Sequence, residues 1–312
     1  MAYKKRLYIL LSMIAVMVLL LTGSFVFSSD FGSGQQSFVW IDSKTAERVN
    51  RIVLNVYGGE TELSKRNNMW FVLHNDNSYP ARNARVLDFL GILSARSAWP
   101  VRSSSASTHE RFGLDDHASR ITIYGDNAVL LDLLLGNDDV LRNETYFRKY
   151  GQNEVRSGDS AIKTYLNSPV SSWYNLRLVP DSESGQFDIS SVQRLSVYTP
   201  SGTQVFTRRS RGWEITGMEI SNPDIPAIEN YIRAIVNTEG DGFDESVFHN
   251  DPLFDDSRIV LEIGTGRVIT IRLGEADDTG RRLAHVSGSN YIYSIPAWAA
   301  NRLFREADNF EM

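Results

Sequence analysis

Ser160-Ala161-Ile162-Lys163 sets a lysine amine one helical turn from a serine hydroxyl, the S-x-x-K spacing of a nucleophile and its base. The Ser-Asp-Asn and Lys-Thr-Gly segments that complete that machinery are missing from the chain, so a helix surface is the better reading. His109-Glu110 begins a zinc-hydrolase pattern but has no second histidine four residues on, and His74, His117, His249 and His285 are scattered. The chain has no cysteine, which removes thiolate zinc sites and cysteine nucleophiles. Gly264-Thr265-Gly266 lacks the third glycine and the βαβ setting of a dinucleotide loop, and there is no Walker sequence. Paired acids at Asp115-Asp116, Asp138-Asp139, Asp255-Asp256 and Asp277-Asp278 do not follow a calcium-loop pattern and read as turn residues. Asn143-Glu144-Thr145 has the form of a glycosylation acceptor. Trp40, Trp99 and Trp298 are candidates for a sugar-stacking platform, against the commoner use of such rings in a core. The sequence therefore predicts no catalytic residue, cofactor or metal, and no enzyme.

What it does show is repetition. A displacement of 143 residues lays Val49, Arg51, Gly59, Arg66 and Trp70 over Val192, Arg194, Gly202, Arg209 and Trp213, and Ser78-x-Pro80 over Ser221-x-Pro223. At 142, Val86, Phe89, Leu90 and Leu93 meet Ile228, Tyr231, Ile232 and Ile235, each set spaced i, i+3, i+4, i+7 as one apolar helical stripe. Leu135-Gly136 meets Leu273-Gly274 at 138, and Gly151 and Leu166 meet Gly288 and Leu303 at 137. The period far exceeds the 20 to 50 residues of repeat arrays, so the pattern predicts a tandem domain duplication. Trp70, Phe89 and Leu90, with Trp213, Tyr231 and Ile232, are the predicted repeat-equivalent core.

Within the first copy, residues 51–57 and 69–73 carry β-branched and aromatic residues punctuated by Gly58-Gly59 and Asn67-Asn68, a small meander. Pro80 and Pro223 stand just before the two helices. Strands follow near 121–124, 129–135 and 145–150 and a helix over 159–167; the second copy offers strands near 259–263, 268–273, 283–286 and 291–295 and a helix over 296–307. Strands and helices in this order predict an α+β fold of mainly antiparallel sheet with packed helices. The predicted divisions are a basic tip (1–6), an anchor (7–27), a tether (28–46), a first repeat domain (47–178), a linker (179–190), a second repeat domain (191–307) and a tail (308–312).

Lys4-Lys5-Arg6 precedes an uncharged run over 7–27, which as a helix rises about 31 Å and matches the hydrocarbon thickness of a bilayer. That length favours an uncleaved membrane anchor over a signal peptide, and the basic cluster places the N-terminus in the cytoplasm with the main body periplasmic or otherwise extracytoplasmic. A net charge of −6 and no basic stripe argue against nucleic acid. Six lysines leave 26 arginines among the 32 cations, a bias with no physical account at this level.

Tyr79-Pro80-Ala81 ahead of an amphipathic helix, Phe112-Gly113-Leu114-Asp115 ahead of a strand, Leu135-Gly136-Asn137, and Trp173 closing the unit resemble the bacterial domain-of-unknown-function family 4340 over most of residues 40–305. The second copy departs from it, with Asp251-Pro252-Leu253-Phe254 where the Phe-Gly-Leu-Asp segment would fall. The resemblance implies a single-pass exported protein, often encoded beside a gliding-type ABC transporter with its permease and auxiliary subunit, and it carries no catalytic residues over. The function expected is that of a non-enzymatic, membrane-anchored accessory protein whose duplicated domains bind a protein partner, a permease or auxiliary subunit of an ABC-type or envelope complex. The alternatives are a module binding peptidoglycan or another envelope glycan and, behind it, a hydrolase with a non-standard site.

Overall fold

The computed structural model describes residues 37–56, 59–141, 143–179, 187–210, 212–217, 219–220, 222–246, 254, 257–264, 266–305 and 307–311. Lys4, Lys5, Arg6, the apolar run 7–27 and residues 28–36 of the tether lie outside them. Among the described residues no helix is long and apolar enough to cross a membrane.

Two antiparallel sheets with few helices make an α+β protein that divides into two compact units. Unit 1 holds residues 37–73 and Asn83–Pro169; unit 2 holds His74–Arg82 and the chain from Val170.

In unit 1, short helix α1 (Ser43–Glu47) leads into β1 (Arg51–Val56), β2 (Gly59–Arg66) and β3 (Met69–His74). Asn67 and Asn68, at φ 49° and 63°, join β2 to β3; asparagine is among the few side chains that tolerate two successive left-handed residues, as a type I′ hairpin turn demands. Strand β4 (Asn77–Pro80) falls within the segment assigned to unit 2. Helix α2 (Asn83–Ser94) buries Val86, Phe89, Leu90 and Leu93, the stripe its spacing sets on one face. Then come β5 (Val101–Ser103), β6 (Ser119–Gly125), β7 (Ala128–Asp138), β8 (Glu144–Lys149), β9 (Val155–Asp159) and one turn of helix, α3 (Lys163–Leu166). The strand order, running from β3, is β3-β2-β1-β6-β7-β8-β9-β5, with every neighbouring pair antiparallel.

Unit 2 builds β10 (Val192–Thr199), β11 (Gly202–Arg209), β12 (Gly212–Thr216), helix α4 (Ile225–Val236), β13 (Gly242–Asp244), β14 (Ser257–Ile263), β15 (Val268–Leu273), β16 (Arg282–Val286), β17 (Ile292–Ile295) and helix α5 (Ala297–Leu303). Its sheet runs β12-β11-β10-β14-β15-β16-β17-β13. Exchanging each strand for its counterpart in unit 1 reproduces the first order. The turn glycines agree too: Gly151 and Gly288 sit at φ 76° and 80°. Trp70 and Trp213 are 3% and 6% exposed, and Phe89, Leu90, Tyr231 and Ile232 are all buried.

The short edge strands β5 and β13 are absent from the sequence reading. Three residues show no alternation, and their pairing comes from β9 and β17, far away in the chain. The helix predicted over 159–167 is a 3₁₀ turn (Ser160–Ile162) followed by α3, and the one predicted over 296–307 stops at Leu303. Trp173, Tyr174, Leu176 and Leu178, at the end of the first predicted domain, and Val179, at the start of the predicted linker, are buried and belong to unit 2.

Several of the arginines are used for their planar shape. Arg51 grips Glu62 through two bonds of 2.7 Å and lies 4.7 Å from the Tyr124 ring; Arg120 grips Asp132 through bonds of 2.7 and 2.5 Å and lies 4.2 Å from Tyr150. In unit 2, Arg258 covers Tyr198 and Arg208 covers Trp213. A planar fork can hold a carboxylate and stack on a ring at once, which an ammonium group cannot.

Candidate functional site

The residues with catalytic spacing are committed to structure. Lys163 Nζ lies 2.7 Å from Asp138 Oδ1, and Asp159 caps the turn that carries Ser160 by accepting from the Ala161 amide. His109 and His285 each use a ring nitrogen on a backbone carbonyl, of Asn153 and Ser289. Asp115, Asp139 and Asp277 cap turns by accepting backbone N–H groups, and the Thr279 hydroxyl, followed by the Thr279 amide, pulls the Asp277 carboxyl below its ordinary range. Asp255-Asp256 and His249 lie outside the described residues. Gly266, at φ 81°, belongs to the β14–β15 hairpin turn, not to a phosphate loop at a helix start. Thr145 of the glycosylation triplet is fully buried, while Asn143 is exposed.

The segments that carry the family resemblance meet in pairs. In unit 1, a Cβ on Gly136 would stand 2.0 Å from the Phe112 carbonyl oxygen, and one on Gly113 would stand 2.6 Å from the Asn137 side chain. Phe112-Gly113-Leu114 and Leu135-Gly136-Asn137 thus approach at backbone distance. Leu114 is fully buried between them, with its carbonyl accepting from Arg148. In unit 2, Tyr79-Pro80-Ala81 is held by Trp173 and its neighbours. The Arg82 amide donates to the Trp173 carbonyl (2.7 Å) and the Asn175 amide to the Pro80 carbonyl (2.8 Å), while Tyr79 stacks on Phe243 at 4.9 Å. Tyr291 adds a bond from its hydroxyl to the Ser78 carbonyl. These motifs specify close packing.

Of the three tryptophans proposed as a platform, Trp40 and Trp99 are buried around Phe147, and Trp298 is 61% exposed. Trp298 borders a groove of about 410 Å³ between α4 and α5, lined also by Asn230, Arg233, Asn237, Glu239 and Arg302. Its walls follow from sequence. Ala299 and Ala300 are small enough to let α5 lie against the core, and the buried Tyr231 hydroxyl on α4 donates to the Leu303 carbonyl at 2.7 Å. Burial pushes the Tyr231 phenol well up, so it stays a neutral donor. Trp298 and Arg302, four residues apart, then share the outer stripe, with the guanidinium 5.0 Å from the ring. Glu239 is held by Arg82 (2.9 Å) and Arg177 (3.4 Å). Arg233 bonds the Asn230 side chain. Sequence reasoning grouped Trp298 with two core rings; the signal that separates it is its counterpart in the first copy, Ala161 at a displacement of 137.

A second depression of about 360 Å³ near Arg281 and Asp277 is electrostatically closed. Arg281 pairs with Asp241 at 2.8 Å and donates to Ser294, and Arg282 donates to the Gly274 carbonyl.

Fold and groove define a two-unit, mainly antiparallel α+β protein with an open, arginine-lined cleft on its second unit. The chain belongs to the family described as Domain of unknown function (DUF4340), whose model matches residues 70–247, a span that holds all four resemblance segments. No curated protein matches the chain. Among solved structures, a putative DNA polymerase III beta subunit from Eubacterium rectale is similar at 8% identity over 84% of this chain, with a TM-score of 0.14, too low to carry any argument. The chain spans 61% of that structure's length.

Proposed function

We propose that this chain is a non-enzymatic, membrane-anchored accessory protein whose two units descend from one duplicated domain and bind protein outside the cytoplasm. Its partner is a permease or auxiliary subunit of an ABC-type transporter or gliding/envelope complex. The observation that carries the reading is Trp298, 61% exposed beside Arg302 on an open groove. Tryptophan and arginine dominate the energetics of protein interfaces, and here the two stand side by side on one open groove. The shared strand order of the units supports the duplication, and the apolar run 7–27 behind Lys4-Lys5-Arg6 supports the tether.

The exposed ring also suits a glycan platform, the second reading. It is weaker because Trp298 has Ala161 at the equivalent place, so the two copies do not align aromatics for a repeating polymer. Purification of the full chain in mild detergent tests the lead. Repeated recovery of a transporter permease or auxiliary subunit supports it, and repeated recovery of the chain alone, or retention on purified peptidoglycan, counts against it.

A further inference from the structure

We infer that the α4–α5 groove of unit 2 docks an acidic protein segment, with Trp298 as apolar anchor and Arg233 and Arg302 as carboxylate partners; this deepens the protein-binding reading and rests on it. Trp40, Trp70, Trp99, Trp173 and Trp213 are each at most 6% exposed, so the fold has buried every other tryptophan and left this ring out. Arg233 and Arg302 are both exposed, and among the described residues neither has a carboxylate partner. The groove's own acid, Glu239, is already taken by Arg82 and Arg177. A locally cationic cleft results, in a chain whose net charge is −6. Charge complementarity of this kind selects an acidic occupant and repels a basic one.

The repeat supplies an internal control. Equivalent places in unit 1 hold Ala161 for Trp298, Tyr165 for Arg302 and Gly91 for Arg233. There Tyr165 turns to the core ring Phe89 at 5.5 Å, beneath Arg85 at 4.8 Å. The fold therefore closes without the Trp-Arg pair, and its presence in one copy alone points to a use beyond folding. Nucleic acid would require a far more extensive basic surface than two arginines.

Fluorescence polarisation on the full chain in detergent tests this with labelled peptides of about twelve residues. One alternates glutamate with leucine and phenylalanine, one is its glutamine isostere, and one is its lysine counterpart. Saturable binding of the glutamate peptide is expected, weakened about tenfold or more by the glutamine isostere and by Trp298→Ala. The double variant Arg233→Glu/Arg302→Glu should lose the glutamate peptide and gain the lysine peptide. All three side chains are exposed, so an unchanged melting temperature separates docking from folding. Equal binding of the glutamate and lysine peptides, or indifference to both variants, overturns the inference. Retention on purified peptidoglycan that Trp298→Ala abolishes overturns it in favour of a glycan. If the peptides fail while a membrane partner still co-purifies with the Trp298→Ala chain, the groove is wrong and the accessory reading survives; loss of both removes both.

Discussion

Trp70 and Trp213 occupy equivalent places on β3 and β12 and are almost wholly buried, so truncating either leaves a cavity the neighbouring strands cannot close. Trp70→Ala and Trp213→Ala should each destabilise their own unit by about 3 to 5 kcal/mol, read by denaturant melting. Equal melting of variant and parent would show that the rings are not core. Tyr231 makes a subtler case. Its hydroxyl is buried on the Leu303 carbonyl, and Tyr231→Phe leaves that acceptor unpaired, costing about 1 to 3 kcal/mol at neutral pH. The sign of the pH effect follows from the raised folded pKa. The unfolded phenol releases its proton near the ordinary value of 10.0 and the folded one only above it, so the contribution is complete below that pH and fades as pH rises. Thermal melts from neutral to strongly alkaline pH should show a shallower alkaline decline for Tyr231→Phe, part of it remaining because burial also raises Tyr174 and Tyr293. At this scale the sequence identified the buried positions through the repeat. It did not reveal that Trp298 alone among the tryptophans is exposed, because that depends on where Ala299 and Ala300 seat the helix.

Elements were legible in proportion to how locally they are determined. The stripes of α2 and α4 are written at helical spacing, and the Asn67-Asn68 turn is written in residues that accept positive φ. Strands β5 and β13 are written nowhere locally; they exist because β9 and β17 offer an edge. The approach of Phe112-Gly113-Leu114 to Leu135-Gly136-Asn137 was visible as two motifs but not as one contact. Gly136→Ala should destabilise unit 1 by about 1 to 3 kcal/mol, because the added methyl meets backbone oxygen rather than a movable side chain. Gly59→Ala, where nothing lies within 4 Å and φ is not positive, should change stability by less than about 0.5 kcal/mol. Comparable losses in the two variants would refute the close-approach account of the motif pair.

For the whole molecule, the anchor expected over 7–27 lies outside the described residues, whereas the 143-residue period, matched by the common strand order of the two units, was legible in the linear sequence. The groove was not, since its walls join residues some seventy positions apart, Asn230 to Arg302, through the Tyr231–Leu303 bond. Two units that share a strand order and their buried positions but differ at exposed ones give one unit a surface the other lacks, and the proposed function assigns partner binding to that difference. The most direct measurement places a photo-crosslinking amino acid at position 298, or at its counterpart 161, in the full chain in native membranes, with adducts identified by mass spectrometry. The account predicts one defined protein adduct, crosslinked through an acidic segment of the partner, from position 298 and none from 161. Equal labelling from both positions, or adducts to lipid and glycan alone, would contradict it.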